Sequence, residues 1–437
     1  MTLDPREVIA KNPMSRLQIA VVAITVGLNA LDGFDVLAIS FASPGIARDW
    51  GIDRAALGIV LSMELMGMGI GSILLGGVAD RIGRRRTLLG CLTVMALGMI
   101  MAAHARGVYD LSLWRVFTGL GIGGMLASIN AVAAEFSNAR RRSLNVSLMA
   151  IGYPIGAVVG GKIAAQLLKQ SDWRVVFEFG AAATALFLPL VFCFVPESVG
   201  WLCRRQPAGA LAVVNRGLRR MGHAEVDALP VISAEVRKRS VMDIFSPQLV
   251  RVTVLLTLAY SLHVMTFYFM LKWVPKIVVD MGFTPSSAAN VLVWANVGGA
   301  TGGAVLGLLS LRFGLKPLTI FVFAMSTVML AVFGRGQANL AQLSLICAVA
   351  GFFTNAGIVG MYGIFAQAFP THVRATGTGF AVGFGRCGAV LAPVIAGFLF
   401  RAGYGLEFVA TIMGVSSLLA AVTLWLLPFK EEAAAAV

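Results

Sequence analysis

Two carboxylates, Asp32 and Asp35, stand in the stretch LDGFD, inside an apolar run covering roughly residues 17–46. Three residues apart on a helix, they share one face and lie a turn from each other. A charge at the centre of a bilayer costs roughly 2.5–3.5 kcal/mol on insertion scales. Desolvation and the repulsion between neighbouring carboxylates both favour the neutral form. One member of the pair is therefore expected to carry a proton through a working cycle. The alternative is a structural ion pair with a buried cation such as Arg115, and the two roles can coexist.

Other polar residues interrupt the apolar blocks. Glu64, halfway along its block, reads as a second protonatable group, as a group that binds a substrate cation indirectly through Lys272, or as a neutral hydrogen-bonded acid. His263 carries an imidazole that titrates in the physiological range; its other reading is a packed core histidine. The cations that can meet an anionic solute are Arg115, Lys272 and Arg386. A guanidinium grips a carboxylate with two parallel bonds, and Gly385 and Gly388 leave room beside the head group of Arg386, which makes it the first choice. Lys272 stands close to Pro275 and the end of its block, so it can also snorkel to the surface. Tyr153, Trp294, Tyr362, Asn130, Asn296, Asn355 and Gln367 offer aromatic or polar walls for a binding site, whereas Lys162 reads as structural or interfacial.

These residues must be positioned by membrane-spanning helices. The 437 residues are 58% hydrophobic and only 13% charged, with a mean hydropathy of +0.84, against about 25% charged residues in soluble domains. Roughly 20 apolar residues span the hydrocarbon. Twelve such blocks occur, near 17–46, 55–79, 87–105, 109–134, 142–168, 174–195, 250–278, 286–310, 317–334, 339–366, 375–400 and 405–427. The fold class is thus an all-α membrane protein with twelve transmembrane helices in two six-helix halves. The halves are 1–195 and 248–437, joined by the polar linker 196–247.

The net charge of +14 does not point to nucleic acid. Most of the Lys and Arg residues fall on one side of the alternating connections, in runs such as RIGRRR and NARRRS, and the positive-inside rule makes that side cytoplasmic. Both termini and the linker are expected there, in a multi-pass protein of the inner cell membrane. The opening MTLDPREVIAKNPMSR lacks a cleavable leader pattern, so the first span is expected to direct insertion. The cysteines, at 91, 193, 203, 347 and 387, have no metal-ligand spacing, and neither a metal nor a cofactor is expected. No zinc-type histidine spacing, nucleophile elbow or phosphate loop supports a membrane-bound enzyme. A sensor built on a transporter scaffold would be expected to carry a signalling domain larger than the linker.

The halves are related by an internal repeat. Gly67, Gly71, Gly76, Arg81 and Gly83 fall on Gly298, Gly302, Gly307, Arg312 and Gly314, an offset of 231 that also lays Pro44 on Pro275 and Asp32 on His263. An offset of 233 lays Phe136, Arg141, Gly152 and Tyr153 on Phe369, Arg374, Gly385 and Arg386. Parallel repeats of this kind predict a binding site at their interface near the midplane.

The motif GGVADRIGRRR, with Gly76, Asp80, Arg81, Gly83 and Arg84, resembles the loop between spans 2 and 3 of the major facilitator superfamily; GLLSLRFGLK is its second-half echo, with Leu311 in place of the acid. WRVFTGLGIGG, PESVGWL and FPTHVRATGTGFAVGFGRCG resemble further patterns of that superfamily. The opening LDGFDVLAISFASPGI, with FGRCG, is similar to the aromatic acid:proton symporter family. The resemblance implies proton-coupled uptake of a benzoate-, hydroxybenzoate- or muconate-type acid by alternating access. Asp80, Arg81 and Arg84, with Gly76 and Gly83, would form a cytoplasmic gate. Protons would be the coupling ion, membrane lipid and a small organic acid the partners, and a monomer the working unit. Many relatives look apolar or neutral where this chain has Glu64 and Lys272. The alternatives are another small mono- or dicarboxylate as cargo, or an exporter or antiporter of the same fold.

Overall fold

The computed structural model describes residues 4–230, 241–336, 339–370 and 373–427. Part of the expected linker (231–240) and two residues of the FPTHVR motif (371–372) lie outside the described residues. Among the described residues, twelve helices are long and apolar enough to cross a membrane. They are α2 (Arg16–Trp50), α3 (Arg54–Ile82), α4 (Arg84–Ala103), α5 (Val108–Glu135), α6 (Arg142–Leu167), α7 (Arg174–Phe194), α10 (Val250–Asp280), α11 (Pro285–Leu309), α12 (Leu315–Gly334), α13 (Leu340–Ala368), α14 (Arg374–Arg401) and α15 (Leu406–Trp425). Three short α-helices, α1 (Pro5–Lys11), α8 (Val199–Arg205) and α9 (Ala210–Arg220), and a 3-10 helix at Val241–Phe245 complete the described set. Each expected span is present, with ends shifted by a few residues. Helices are what the bilayer demands, because each span must satisfy its own backbone polar groups. Five spans carry an internal proline, at Pro44, Pro154, Pro189, Pro275 and Pro393; Pro44 and Pro275 hold repeat-equivalent places.

Packing groups the chain into two compact units. One comprises Met1–Val36, Gly67–Ala157 and Phe177–Val236, the other Leu37–Met66, Val158–Val176 and Arg237–Val437. The division by compactness therefore cuts through α2, α3, α6 and α7, whereas the division by sequence repeat falls in the linker.

The glycine repeat has a structural counterpart inside each unit. A Cβ at Gly67 or Gly71 would collide with the carbonyl oxygens of Val116 and Leu120, so α3 lies directly against α5. The aligned Gly298 and Gly302 meet the carbonyls of Ala348 and Phe352 in the same way and bring α11 onto α13. Small residues are what permit such close approach in a membrane. Likewise Gly152 of α6 abuts Asn29 of α2, and its aligned residue Gly385 of α14 abuts Tyr260 of α10, which the 231 offset lays on Asn29.

α9 shows ordinary amphipathic logic: Ala210, Val214, Gly217 and Leu218 are its buried residues, spaced at i, i+4, i+7 and i+8, and its arginines lie on the other faces. Arg220 Nη2 donates to the carbonyl of Cys193 at 2.7 Å, and Arg85 Nη2 to that of Phe192 at 2.5 Å. Both cations thus satisfy carbonyls at the C-terminal end of α7.

Candidate functional site

In the first unit the two expected carboxylates are buried, Asp32 at 2% and Asp35 at 0% exposure. Their turn of α2 is clamped on three sides. Gly33 lies against the backbone carbonyl of Tyr153 on α6, with no room for a Cβ. Gly180 of α7 packs beside Phe34 and the Asp35 carboxylate, and Phe34 meets Phe179 edge to face at 5.1 Å. From α5 comes Arg115, fully buried. Its Nη2 donates to the Asp35 backbone carbonyl at 3.0 Å and its Nη1 to Met99 Sδ at 3.0 Å, while its guanidinium stands 5.2 Å from the centre of the Phe177 ring. An arginine cannot shed its charge to escape burial. The site therefore holds a permanent cation at the same turn as two carboxylates, which is the arrangement that makes a carboxylate's charge state matter.

In the second unit Arg386 is half-buried on α14, next to Gly385, whose missing side chain admits the Tyr260 ring. Arg386 interacts electrostatically with the Tyr260 phenol. The Tyr260 and Tyr362 hydroxyls share a hydrogen bond at 3.3 Å, and both rings lie against Phe365, at 5.5 and 6.2 Å. Tyr362 remains 46% exposed. A cation, two phenols and an aromatic wall thus converge on one region. The chemistry they offer is a charge-assisted bond to a carboxylate, hydroxyl hydrogen bonding, and ring contact.

Glu64 and Lys272, also in this unit, are both fully buried and pair with each other, Lys272 Nζ to Glu64 Oε2 at 3.4 Å. Of the two readings of Lys272, snorkelling is not what the side chain does. His263 is fully buried. Its Nε2 donates to the Thr354 carbonyl at 2.8 Å, its Nδ1 meets the Ser417 hydroxyl at 2.8 Å, and its ring stacks on Phe323 at 4.2 Å. A carbonyl can only accept, so the proton sits on Nε2 and the hydroxyl occupies Nδ1; both nitrogens are engaged.

The remaining wall candidates are dispersed. Asn355 donates to the Gly299 carbonyl at 2.7 Å and ties α13 to α11. Asn296 and Asn130 bond to carbonyls of their own helices, Leu292 and Leu126. Trp294 (53%) and Gln367 are exposed, as is Lys162.

The arginine motif is wired inside the first unit. Arg84 Nη2 bonds to Asp80 Oδ1 at 2.6 Å, one turn away, while Arg81 is exposed. Glu197 of PESVGWL accepts from the backbone N–H groups of Arg84 and Arg85 at 2.7 and 3.1 Å and so caps the N-terminus of α4. Gly83 turns with φ +105°, and a Cβ there would strike the Glu197 carboxylate. Trp201 Nε1 and Arg205 Nε both donate to the Asp80 carbonyl at 3.0 Å. Ser198 bonds to Glu135, which also pairs with Arg204 at 3.3 Å. The sequence reading had Asp80 and Arg84 but assigned no role to Glu197 or Glu135, and it missed Tyr260. The 231 offset lays Tyr260 on Asn29, but that each of them meets the corresponding glycine is visible only in the structure.

Comparison with known proteins places these features. The chain is 28% identical to the gallate transporter of Pseudomonas putida, covering 97% of this chain and 94% of that protein. It is 29% identical to the 4-hydroxybenzoate transporter PcaK of Pseudomonas putida, covering 96% and 95%. Among solved structures, a D-xylose-proton symporter superposes with a TM-score of 0.73 at 19% identity, over 94% of this chain and 97% of that one, which shows a shared fold. The sequence profile of the Major Facilitator Superfamily matches residues 25–302 and 256–436. A duplicated twelve-span fold and a match across almost the whole chain together decide for a transporter over an enzyme: this chain belongs to the Major Facilitator Superfamily.

Proposed function

We propose that the protein is a proton-coupled importer of an aromatic carboxylate. The observation that carries this reading is the convergence of Arg386 with the Tyr260–Tyr362 phenol pair and Phe365, a set suited to a ring bearing a carboxylate and hydroxyls. The names of the relatives, transporters of gallate and 4-hydroxybenzoate, support the same class. In this reading Arg386 takes the carboxylate and Asp32 or Asp35, beside Arg115, carries the coupling proton. The two sequence halves, 1–195 and 248–437, rock about the site, and the Asp80–Arg84 motif serves as the cytoplasmic gate. Protons are the coupling ion and no other cofactor takes part. The protein works as a monomer in the inner membrane, with both termini and the 196–247 linker cytoplasmic, the side to which the arginine excess assigns them.

The test is uptake of radiolabelled 4-hydroxybenzoate, gallate and benzoate into proteoliposomes under an imposed inward proton gradient. Accumulation of at least one acid that collapses with an uncoupler supports the proposal. Uptake of none, or accumulation indifferent to the gradient, overturns it.

A further inference from the structure

The Glu64–Lys272 pair joins helices from different sequence halves within one compact unit, and among the described residues it is the innermost of three ionic links that do so. Towards the start of α3, Arg54 bonds to Asp280 of α10 at 3.0 Å, and Asp53 meets Arg401 at the end of α14 at 3.4 Å. Between these links the backbones close on each other. Gly58 of α3 abuts the Pro393 carbonyl of α14, and a Cβ on Gly397 would fall 2.5 Å from the Arg54 carbonyl. Along α10, Lys272, Lys276 and Asp280 recur every four residues and so form one stripe; two of its three members meet Glu64 and Arg54 of α3. The outer ionic links are partly solvated, whereas Glu64 and Lys272 have 0% exposure.

A buried ion pair is a poor source of net stability, because desolvating two charges offsets most of their attraction. Leu57, Val60, Leu61, Leu65 and Met68, buried apolar residues around Glu64 on α3, show that apolar packing was available here. What the pair has instead is two discrete states, joined and parted, and the change between them takes from each charge the partner it meets here. We propose that Glu64 and Lys272 are positioning residues of the transport cycle. Their ion pair is the innermost latch that holds this segment of α3 against α10 and closes the solute path on the side away from the arginine-rich loops. For a solute to enter from that side, the pair must part. The inference rests on the transport reading above.

The test is the rate at which an impermeant maleimide labels Leu61→Cys in intact cells, in the full chain lacking its five native cysteines. Leu61 is fully buried on α3, one turn from Glu64 towards the outer ionic links. The parent should label slowly and Glu64→Gln on the order of tenfold faster, as expected when a closed state loses its advantage. The charge exchange Glu64→Lys with Lys272→Glu should return the rate to near that of the parent, a rescue that mere local packing would not produce. Where Glu64→Gln fails to reach the membrane, the doubly neutral Glu64→Gln with Lys272→Met removes the latch together with both of its charges and should also label fast. Parental rates in both neutralised variants, or fast labelling of the exchange variant, would overturn the latch. No transported acid is needed, so this outcome is separate from that of the uptake assay. Ala402→Cys, in an exposed loop, reports sidedness independently; if it is labelled only in inside-out vesicles, the topology is reversed and the same rates are read there.

Discussion

Arg115 Nη2 donates to the backbone carbonyl of Asp35 at 3.0 Å. A permanent cation thus holds the main chain of α2 at the turn that carries both aspartates. Neutralising one carboxylate leaves that backbone bond in place, so loss of the proton can be separated from loss of the fold.

Asp32→Asn and Asp35→Asn are therefore expected to differ in kind. Replacing the proton carrier abolishes accumulation against a gradient and spares solute exchange; replacing the structural acid lowers expression. Counterflow and gradient-driven uptake, measured side by side, identify each. Full gradient-driven accumulation by both variants would refute the assignment.

Arg386→Lys keeps the charge and loses the fork, so affinity should fall, and Arg386→Ala should nearly remove binding. Tyr362→Phe deletes one hydroxyl and should weaken a hydroxylated ligand by about 0.5–1.5 kcal/mol while leaving benzoate unchanged. Binding measured by calorimetry on purified protein decides between these outcomes. Unchanged affinity in folded Arg386→Ala would move the carboxylate site to Arg115 or Lys272.

His263 makes two buried hydrogen bonds, to Thr354 and Ser417. His263→Leu should cost about 1–3 kcal/mol by leaving those partners unsatisfied, lowering Tm, with the number of protons moved per solute unchanged. A changed stoichiometry in parallel proton and solute flux measurements would restore a coupling role to this residue.

Glu197→Ala removes the cap on α4 and should cost roughly 0.5–2 kcal/mol. Gly83→Ala meets both a positive φ and the Glu197 carboxylate, so it should destabilise at least as much. Thermal unfolding in detergent tests both. Restoration of stability when Glu197→Ala is added to Gly83→Ala would show that the collision, more than the backbone angle, carries the cost.

His223, in the loop after α9, bonds through Nε2 to Gln18 Oε1 at 3.0 Å, and burial lowers its pKa below the usual 6.5. The folded state thus binds fewer protons than the unfolded one near pH 6. The stability this site contributes is full above pH 6.5 and is lost as pH falls through the lowered folded value. A Tm profile from pH 7.5 downwards should fall less steeply in His223→Asn than in the parent. Identical slopes would exclude His223 as a source.

The sequence by itself determined the twelve spans, the duplication and the identity of the intramembrane charges, because hydrocarbon admits few alternatives to apolar helices and makes each buried charge conspicuous. The glycine repeat was equally legible, since Gly67 and Gly298 do the same work in both copies. Only the tertiary structure decided which charges meet. Lys272 had two readings of equal standing, and only the packing of α3 against α10 turned it to Glu64. His263 aligns with Asp32, but only the structure shows that it meets the hydroxyl of Ser417, 154 residues away. Glu197 became a helix cap because the chain returns to Gly83, 114 positions earlier in the sequence. Periodicity and hydropathy are local properties of a chain; the partner of a side chain depends on helix register and long-range contact, which no local pattern encodes.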